Sequence, residues 1–307
     1  MLAAGALLQG RYKIREPLSE GGMSIVYLAE DAVLGNRVAV KEMKDHYLSP
    51  QERVLAAKQF LEEARILAGL EHPGLPRVTN FFEQEGRHYL VMDYIAGDTL
   101  EALIAQQGGK LPEDVVLRVG IGAGRVLDYL HNMQPAIIFR DLKPSNIMLV
   151  RAPQMAEDER GRLKLIDFGI SKIFDSTQGT HTIIKGAGTP GYAPPEQYGA
   201  QGRMRTDPRS DVYSLGATMY SVLTGQIPTE ATDRWMNGEV LPPPRQLNSA
   251  VSPEIEALVL QMMELKPELR PSSARDVVDR LNALLVARAR GSSPPVAGGS
   301  GAVKPVR

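Results

Sequence analysis

The stretch Ile137-Ile-Phe-Arg-Asp-Leu-Lys-Pro-Ser-Asn-Ile-Met-Leu149 sets an arginine, an aspartate, a lysine and an asparagine between two apolar runs. The apolar flanks anchor a loop, so the polar side chains converge on one place. Asp141 can accept or orient a hydroxyl proton, Lys143 can neutralise a transferring phosphoryl group, and Asn146 can ligate a divalent cation through its amide oxygen. A second carboxylate arrives in Leu165-Ile-Asp-Phe-Gly169. There Asp167 follows a short strand and is released into a loop by Gly169, which suits a hard Mg²⁺ ligand bridging phosphate oxygens.

Working toward the N-terminus, Val38-Ala-Val-Lys41 places a lysine at the end of an apolar strand. A desolvated ammonium there requires an anionic partner. Glu63, in Phe60-Leu-Glu-Glu-Ala64, lies among apolar neighbours at helical spacing and is a candidate. Further upstream, Leu18-Ser-Glu-Gly-Gly-Met-Ser-Ile-Val-Tyr27 is a small-residue turn between strand-like runs. Gly21 and Gly22 let backbone N–H groups approach a polyphosphate, and the same pair also serves as plain hairpin-turn chemistry.

The remaining pattern divides the chain. From Leu7 to Met92 short alternating runs such as Tyr12–Ile14, Ile25–Leu28, Arg37–Val40 and His88–Met92 predict strands. One helix interrupts them: Ser49 as N-cap, Pro50 at the first position and Glu52 completing a capping box predict a start there and an end near Leu70. From Leu100 onward the periodicity is helical over Pro112–Met133, Asp211–Thr224, Pro253–Leu265 and Ser273–Val286, with strand-like pieces at Asn146–Val150 and Leu163–Ile166. The fold class is therefore α+β in two lobes, a small β-rich N-lobe with one key helix and a larger, mostly α-helical C-lobe. The expected divisions are an N-terminal extension 1–10, an N-lobe about 11–92, a connection about 93–98, a C-lobe about 99–286, and a disordered basic Gly/Ser/Pro-rich tail 287–307.

Composition narrows the function classes. Of 307 residues 43% are hydrophobic, enough for a sizeable core, and Lys plus Arg (35) balances Asp plus Glu (36). That balance gives no global field favouring nucleic acid or an anionic membrane. The absence of cysteine excludes disulfides, thiolate metal sites and cysteine nucleophiles, and fits a reducing, cytoplasmic setting. No run of about 18 apolar residues predicts a membrane span.

These motifs together resemble the protein kinases, and most closely the bacterial eukaryotic-like (Hanks-type) serine/threonine kinases, over about Leu7–Leu285. The resemblance implies transfer of the γ-phosphoryl of ATP, with Mg²⁺ or Mn²⁺, to Ser/Thr hydroxyls of protein substrates. It implies that Leu18, Ser19, Glu20, Gly21, Gly22, Met23, Ser24 and Val26 cover the nucleotide, with Ala39, Met92, Asp93 and Ile95 around the adenine. Lys41 would contact the α and β phosphates and pair with Glu63. Asp141 would be the catalytic aspartate, assisted by Lys143, with Asn146 and Asp167 holding the metal. Gly188-Thr-Pro-Gly-Tyr-Ala-Pro-Pro-Glu196 is similar to the family's peptide-positioning loop. Glu196 would pair with Arg270, and Asp211 would brace the catalytic loop. Lys143 with Thr189 is similar to the serine/threonine pattern.

Arg140, preceding Asp141, implies regulation by a phosphorylated loop, with Thr180 and Thr182 as first candidates, Ser176 and Thr177 as weaker ones, and self-association for autophosphorylation. Three departures stand out: Ser19 and Ser24 occupy family glycine positions, Phe139 replaces a histidine, and Arg151–Arg162 is a long charged connection. None removes a catalytic group, yet they keep a nucleotide-binding pseudokinase or scaffold as the alternative. Gly120-Ile-Gly-Ala-Gly124 looks like a dinucleotide loop but sits in a helical stretch with no preceding strand, so it is expected to serve helix packing. The five histidines show no metal-ligand spacing.

Overall fold

Strand β4 (Arg37–Met43) explains the upper lobe: every residue after Arg37 is buried, because neighbours cover both its faces and both its edges. It lies between β3 (Ser24–Asp31) and β6 (Arg87–Asp93) in an antiparallel sheet of order β1-β2-β3-β4-β6-β5, with β1 at Leu7–Leu8, β2 at Tyr12–Glu20 and β5 at Val78–Gln84. The computed structural model describes residues 1–21, 24–44, 49–150, 163–167, 188–198 and 206–291. One face of the sheet buries Tyr12, Ile14, Tyr27, Val38, Val40, Tyr89 and Val91. The other meets α1 (Pro50–Ala68), whose Ala56, Phe60, Ala64 and Leu67 recur at helical spacing and join the main core. That helix ends two residues before Leu70, ahead of the turn at His72-Pro-Gly74.

The lower lobe is helical. A short hairpin sheet, β7 (Gly97–Thr99), β8 (Ile147–Val150) and β9 (Leu163–Leu165), lies at its top. Below it are α2 (Leu100–Gln106), α3 (Glu113–His131), α4 (Pro208–Thr224), α5 (Ala231–Met236), α6 (Pro244–Leu247), α7 (Pro253–Met262) and α8 (Ala274–Gly291). Helix α4 is buried from Ser210 to Thr224, as expected of a central helix surrounded by others. Its start is fixed by Asp207 and Ser210 in a reciprocal capping box, and its end by Gly225 at φ +74°. The Gly120–Gly124 segment lies inside α3 and serves close packing: a Cβ at Gly124 would lie 2.6 Å from a Val278 methyl of α8.

Two segments expected to lie outside the domain are tied to it. In the segment 1–10, Gly5 N–H donates to Ile14 O at 2.8 Å, Leu2 N–H donates to the Tyr27 hydroxyl at 2.9 Å, and Leu8 is buried. Residues 287–291, read from composition as disordered tail, continue α8 instead. The reason is specific: Arg288 pairs with the buried carboxylate of Glu113, which also accepts from the Ser252 N–H (2.6 Å) and hydroxyl (2.7 Å). Residues 292–307 lie outside the described residues.

Candidate active site

The loop from α3 to β8 is held from below. Phe139, Leu142 and Ile147 are fully buried, and the Asp211 carboxylate, also fully buried, accepts the backbone N–H groups of Phe139 and Arg140 at 2.8 Å each. His131 Nε2 lies 2.8 Å from the same carboxylate. Phe139 thus keeps its main-chain contact with Asp211 while its ring fills the core, and a histidine eight positions earlier supplies an imidazole. Sequence reading missed His131 because no spacing rule links it to Asp211. Arg140 adopts φ +68°, a strained conformation for a non-glycine residue. Its guanidinium donates to Thr206 Oγ1 at 2.9 Å, its carbonyl accepts from Gln197 at 2.8 Å, and burial pushes its pKa down against the opposing pull of Asp211.

The turn at Arg140 presents Asp141 to a polar cluster. Thr189 Oγ1 donates to Asp141 Oδ1 at 2.7 Å, and Lys143 Nζ lies 3.0 Å from Asp141 Oδ2 while donating to Thr189 Oγ1 at 2.9 Å. Asn146, almost fully buried in a 3-10 turn opened by Pro144, donates its amide to Asp141 O at 2.8 Å and Oδ2 at 3.1 Å. An aspartate, a hydroxyl and an ammonium so arranged can orient a hydroxyl, accept its proton and neutralise a nearby anion.

The second carboxylate joins through the backbone. The Ile166 N–H donates to Asn146 O at 2.9 Å, and Asp167 follows at φ +57°. Its Oδ1 receives Lys41 Nζ at 2.9 Å across the cleft between the lobes. Lys41, only 6% exposed, stands on β4 opposite Val26 of β3 and Leu90 of β6. Ala39 pairs with Met92 and Val38 with Asp93, which places the Asp93–Ile95 connection at the rear of the same cleft. The Asp93 carboxylate accepts the Arg77 N–H at 3.1 Å. Leu18, Ser19, Glu20, Ser24 and Val26 form the hairpin of β2 and β3 above it, where Ser19 pairs with Val26 and Glu20 with Ile25. The Glu20 carboxylate pairs with Lys44.

The donor set suits a cation that keeps part of its hydration. Asn146 commits its amide nitrogen to Asp141, which leaves its amide oxygen as the atom that could serve as a ligand together with the Asp167 carboxylate. Among the described residues no three His, Cys, Asp or Glu side chains gather into an all-protein metal cage. One carboxylate and one amide fit Mg²⁺ held jointly with substrate phosphates.

Beyond the cluster, residues 188–198 cross to the lower lobe and are fixed by a buried ion pair. Arg270 Nη1 and Nη2 meet Glu196 Oε1 and Oε2 at 2.6 and 3.0 Å, with Ser210 Oγ donating to Oε1 at 2.9 Å. Both charged side chains are at most 1% exposed. Gly191 at φ +81° lets the loop approach Pro228, whose carbonyl would lie 2.9 Å from an added Cβ. Several expectations fall outside the described residues: Gly22, Met23, the segment 151–162, and Ser176, Thr177, Thr180 and Thr182. Glu63 belongs to α1, but its side chain is also outside them, so the expected Lys41–Glu63 pair has no description.

Comparison with known proteins agrees with this geometry. Residues 12–281 match the protein kinase domain family. Serine/threonine-protein kinase PrkC of Bacillus subtilis is 31% identical over 293 residues, covering 91% of this chain and 42% of PrkC. Tyrosine-protein kinase MasK of Myxococcus xanthus is 33% identical over 304 residues, covering 92% of this chain and 44% of MasK. Among solved structures, the apo form of PpkA-294 superposes with a TM-score of 0.74 at 28% identity, covering 92% of this chain and 99% of that one. The chain spans about two-fifths of the length of these curated relatives. With its cleft, its loop and its two-lobed fold, the chain belongs to the protein kinase domain family.

Proposed function

We propose that this chain is a Hanks-type serine/threonine protein kinase, transferring the γ-phosphoryl of Mg-ATP to protein hydroxyls. The observation that carries this reading is the cluster of Asp141, Lys143, Thr189 and Asn146 joined through Ile166 to Asp167 and Lys41. Asp141 orients the acceptor hydroxyl and takes its proton as the new P–O bond forms and the β–γ bridging P–O bond breaks. Lys143 stabilises charge on the transferring group, and Lys41 holds the α and β phosphates. Asn146 and Asp167 hold the divalent cation, which supplies charge neutralisation on the phosphate oxygens when bound. Backbone groups at Asp93 and Ile95 receive the adenine, with Met92 and Ala39 against the ring and the β2–β3 hairpin above the phosphates.

Thr189 supports the acceptor class. Its aliphatic hydroxyl donates to Asp141 and accepts from Lys143, the contacts a seryl or threonyl acceptor needs. The activation scheme follows from Arg140: phosphate added to Thr180 or Thr182 by a second copy supplies an anion to that guanidinium. Use of ATP in a cysteine-free chain suits the cytoplasm, and among the described residues no helix is long and apolar enough to cross a membrane.

Transfer from radiolabelled ATP tests the assignment. Wild-type protein with Mg²⁺ labels itself or a Ser/Thr protein substrate, and Asp141→Asn lowers incorporation by at least a hundredfold. Equal labelling by both rejects Asp141 as the catalytic group, and nucleotide binding with no labelling by either selects the pseudokinase reading. Phosphoamino-acid analysis yielding phosphotyrosine rejects the acceptor class.

A further inference from the structure

Lys44 is a charged group beside the β2–β3 hairpin that the phosphotransfer scheme leaves unused. It follows β4 directly, three positions beyond Lys41, yet its side chain is only 12% exposed. Its Nζ donates to the Gly21 carbonyl at 3.0 Å and pairs with the Glu20 carboxylate. Because β3 lies between β4 and β2, the lysine reaches across an entire strand to the tip of the phosphate-covering hairpin. The strand register permits this, since Ser24 pairs with Met43 and the end of β4 lies under the tip. The Gly21 N–H donates to Ser24 O at 2.9 Å, so the carbonyl that Lys44 holds belongs to the closing turn of the hairpin.

Two physical effects coincide at this contact. The bond to a backbone carbonyl fixes main chain, so lifting the tip breaks both Lys44 contacts together. The ammonium also offsets the charge of Glu20, whose carboxyl it holds below the usual range by hydrogen bonding first and charge second. Glu20 pairs with Ile25 and Ile25 with Glu42, on the sheet face opposite Lys41, so Lys44 holds the hairpin from its outer side. We propose that Lys44 is a positioning residue, which clamps the tip of the nucleotide-covering hairpin through Gly21 and Glu20 and thereby sets nucleotide affinity. The inference rests on the kinase reading above, in which this hairpin covers ATP. Glu20 and Gly21 are then held in place before the nucleotide arrives, which lowers the cost of binding.

The test is calorimetric binding of a non-hydrolysable ATP analogue with Mg²⁺ to the full chain, together with steady-state kinetics. Lys44→Met is expected to weaken binding and raise KM for ATP about fivefold, close to 1 kcal/mol, with kcat within twofold of wild type. Lys44→Arg restores affinity to within twofold. In a cycle with Glu20→Gln, the Lys44→Met effect shrinks, because both substitutions break the same Lys44–Glu20 contact. Equal affinity in wild type and Lys44→Met overturns the clamp while leaving the kinase assignment standing. No analogue binding by wild-type protein overturns both. Should Lys44→Met lower the melting temperature by more than a few degrees, Lys44→Gln replaces it, and wild-type affinity there overturns the clamp.

Discussion

Replacing Arg270 by methionine isolates the interaction that ties residues 188–198 to the lower lobe. In the native protein Glu196 receives two bonds from Arg270 and one from Ser210, and both charged side chains are sealed from water. Arg270→Met leaves a buried carboxylate with the Ser210 hydroxyl alone, and breaking such a pair from one side costs about 3–5 kcal/mol. Arg270 also donates to the carbonyls of Glu264 (2.7 Å), Leu265 (3.0 Å) and Arg209 (3.0 Å), so the upper half of that range applies. At about 2–4 °C per kcal/mol for a domain of this size, a loss of about 4 kcal/mol lowers Tm by roughly 8–16 °C. Thermal unfolding monitored by circular dichroism reads the shift. The double variant Glu196→Met/Arg270→Met buries no lone charge and should be less destabilised than Arg270→Met alone. A single-variant shift below about 3 °C, or a double variant that simply sums the singles, would refute the reasoning.

Three further outcomes follow from the same contacts. Asp211→Asn gives one of three donors an N–H in place of an oxygen, so kcat should fall on the order of 100-fold with KM for ATP little changed, as initial-rate kinetics would show. Gly124→Val drives a branched side chain into Val278, and urea denaturation should report about 1–3 kcal/mol lost with nucleotide-analogue affinity unchanged; weakened affinity with intact stability would reinstate a ligand role for the glycine run. Asp31, hydrogen-bonded by Arg11 and by the Val33 and Leu34 N–H groups, titrates at about 2, below its ordinary 3.8. A lowered folded pKa means that its contribution is complete above about pH 4 and is lost as pH falls toward 2. Urea midpoints of Asp31→Asn should therefore be flatter across that window than those of wild type.

Local order carried much of the information about this protein. Apolar anchoring around Arg140–Asn146, the lysine at the end of Val38–Val40 and the aspartate after Leu163–Leu165 are short-range patterns, because each needs only a strand or a loop and its own flanks. Two helix starts were legible for the same reason: Pro50 and Pro253 each open a helix where a missing N–H costs nothing, whereas the helix expected from Asp211 begins at Pro208. The tertiary structure alone decided which distant groups meet. His131 joins Asp211 across 80 positions, Thr189 joins Asp141 across 48, and Lys44 reaches back to Gly21 across 23. The charged end of α8 looked like a solvated tail, yet Arg288 is fixed by Glu113, 175 residues earlier. Composition records how many charges a segment carries. Only packing decides which of them lose water, and a charge that loses water must find its partner wherever the fold has placed one.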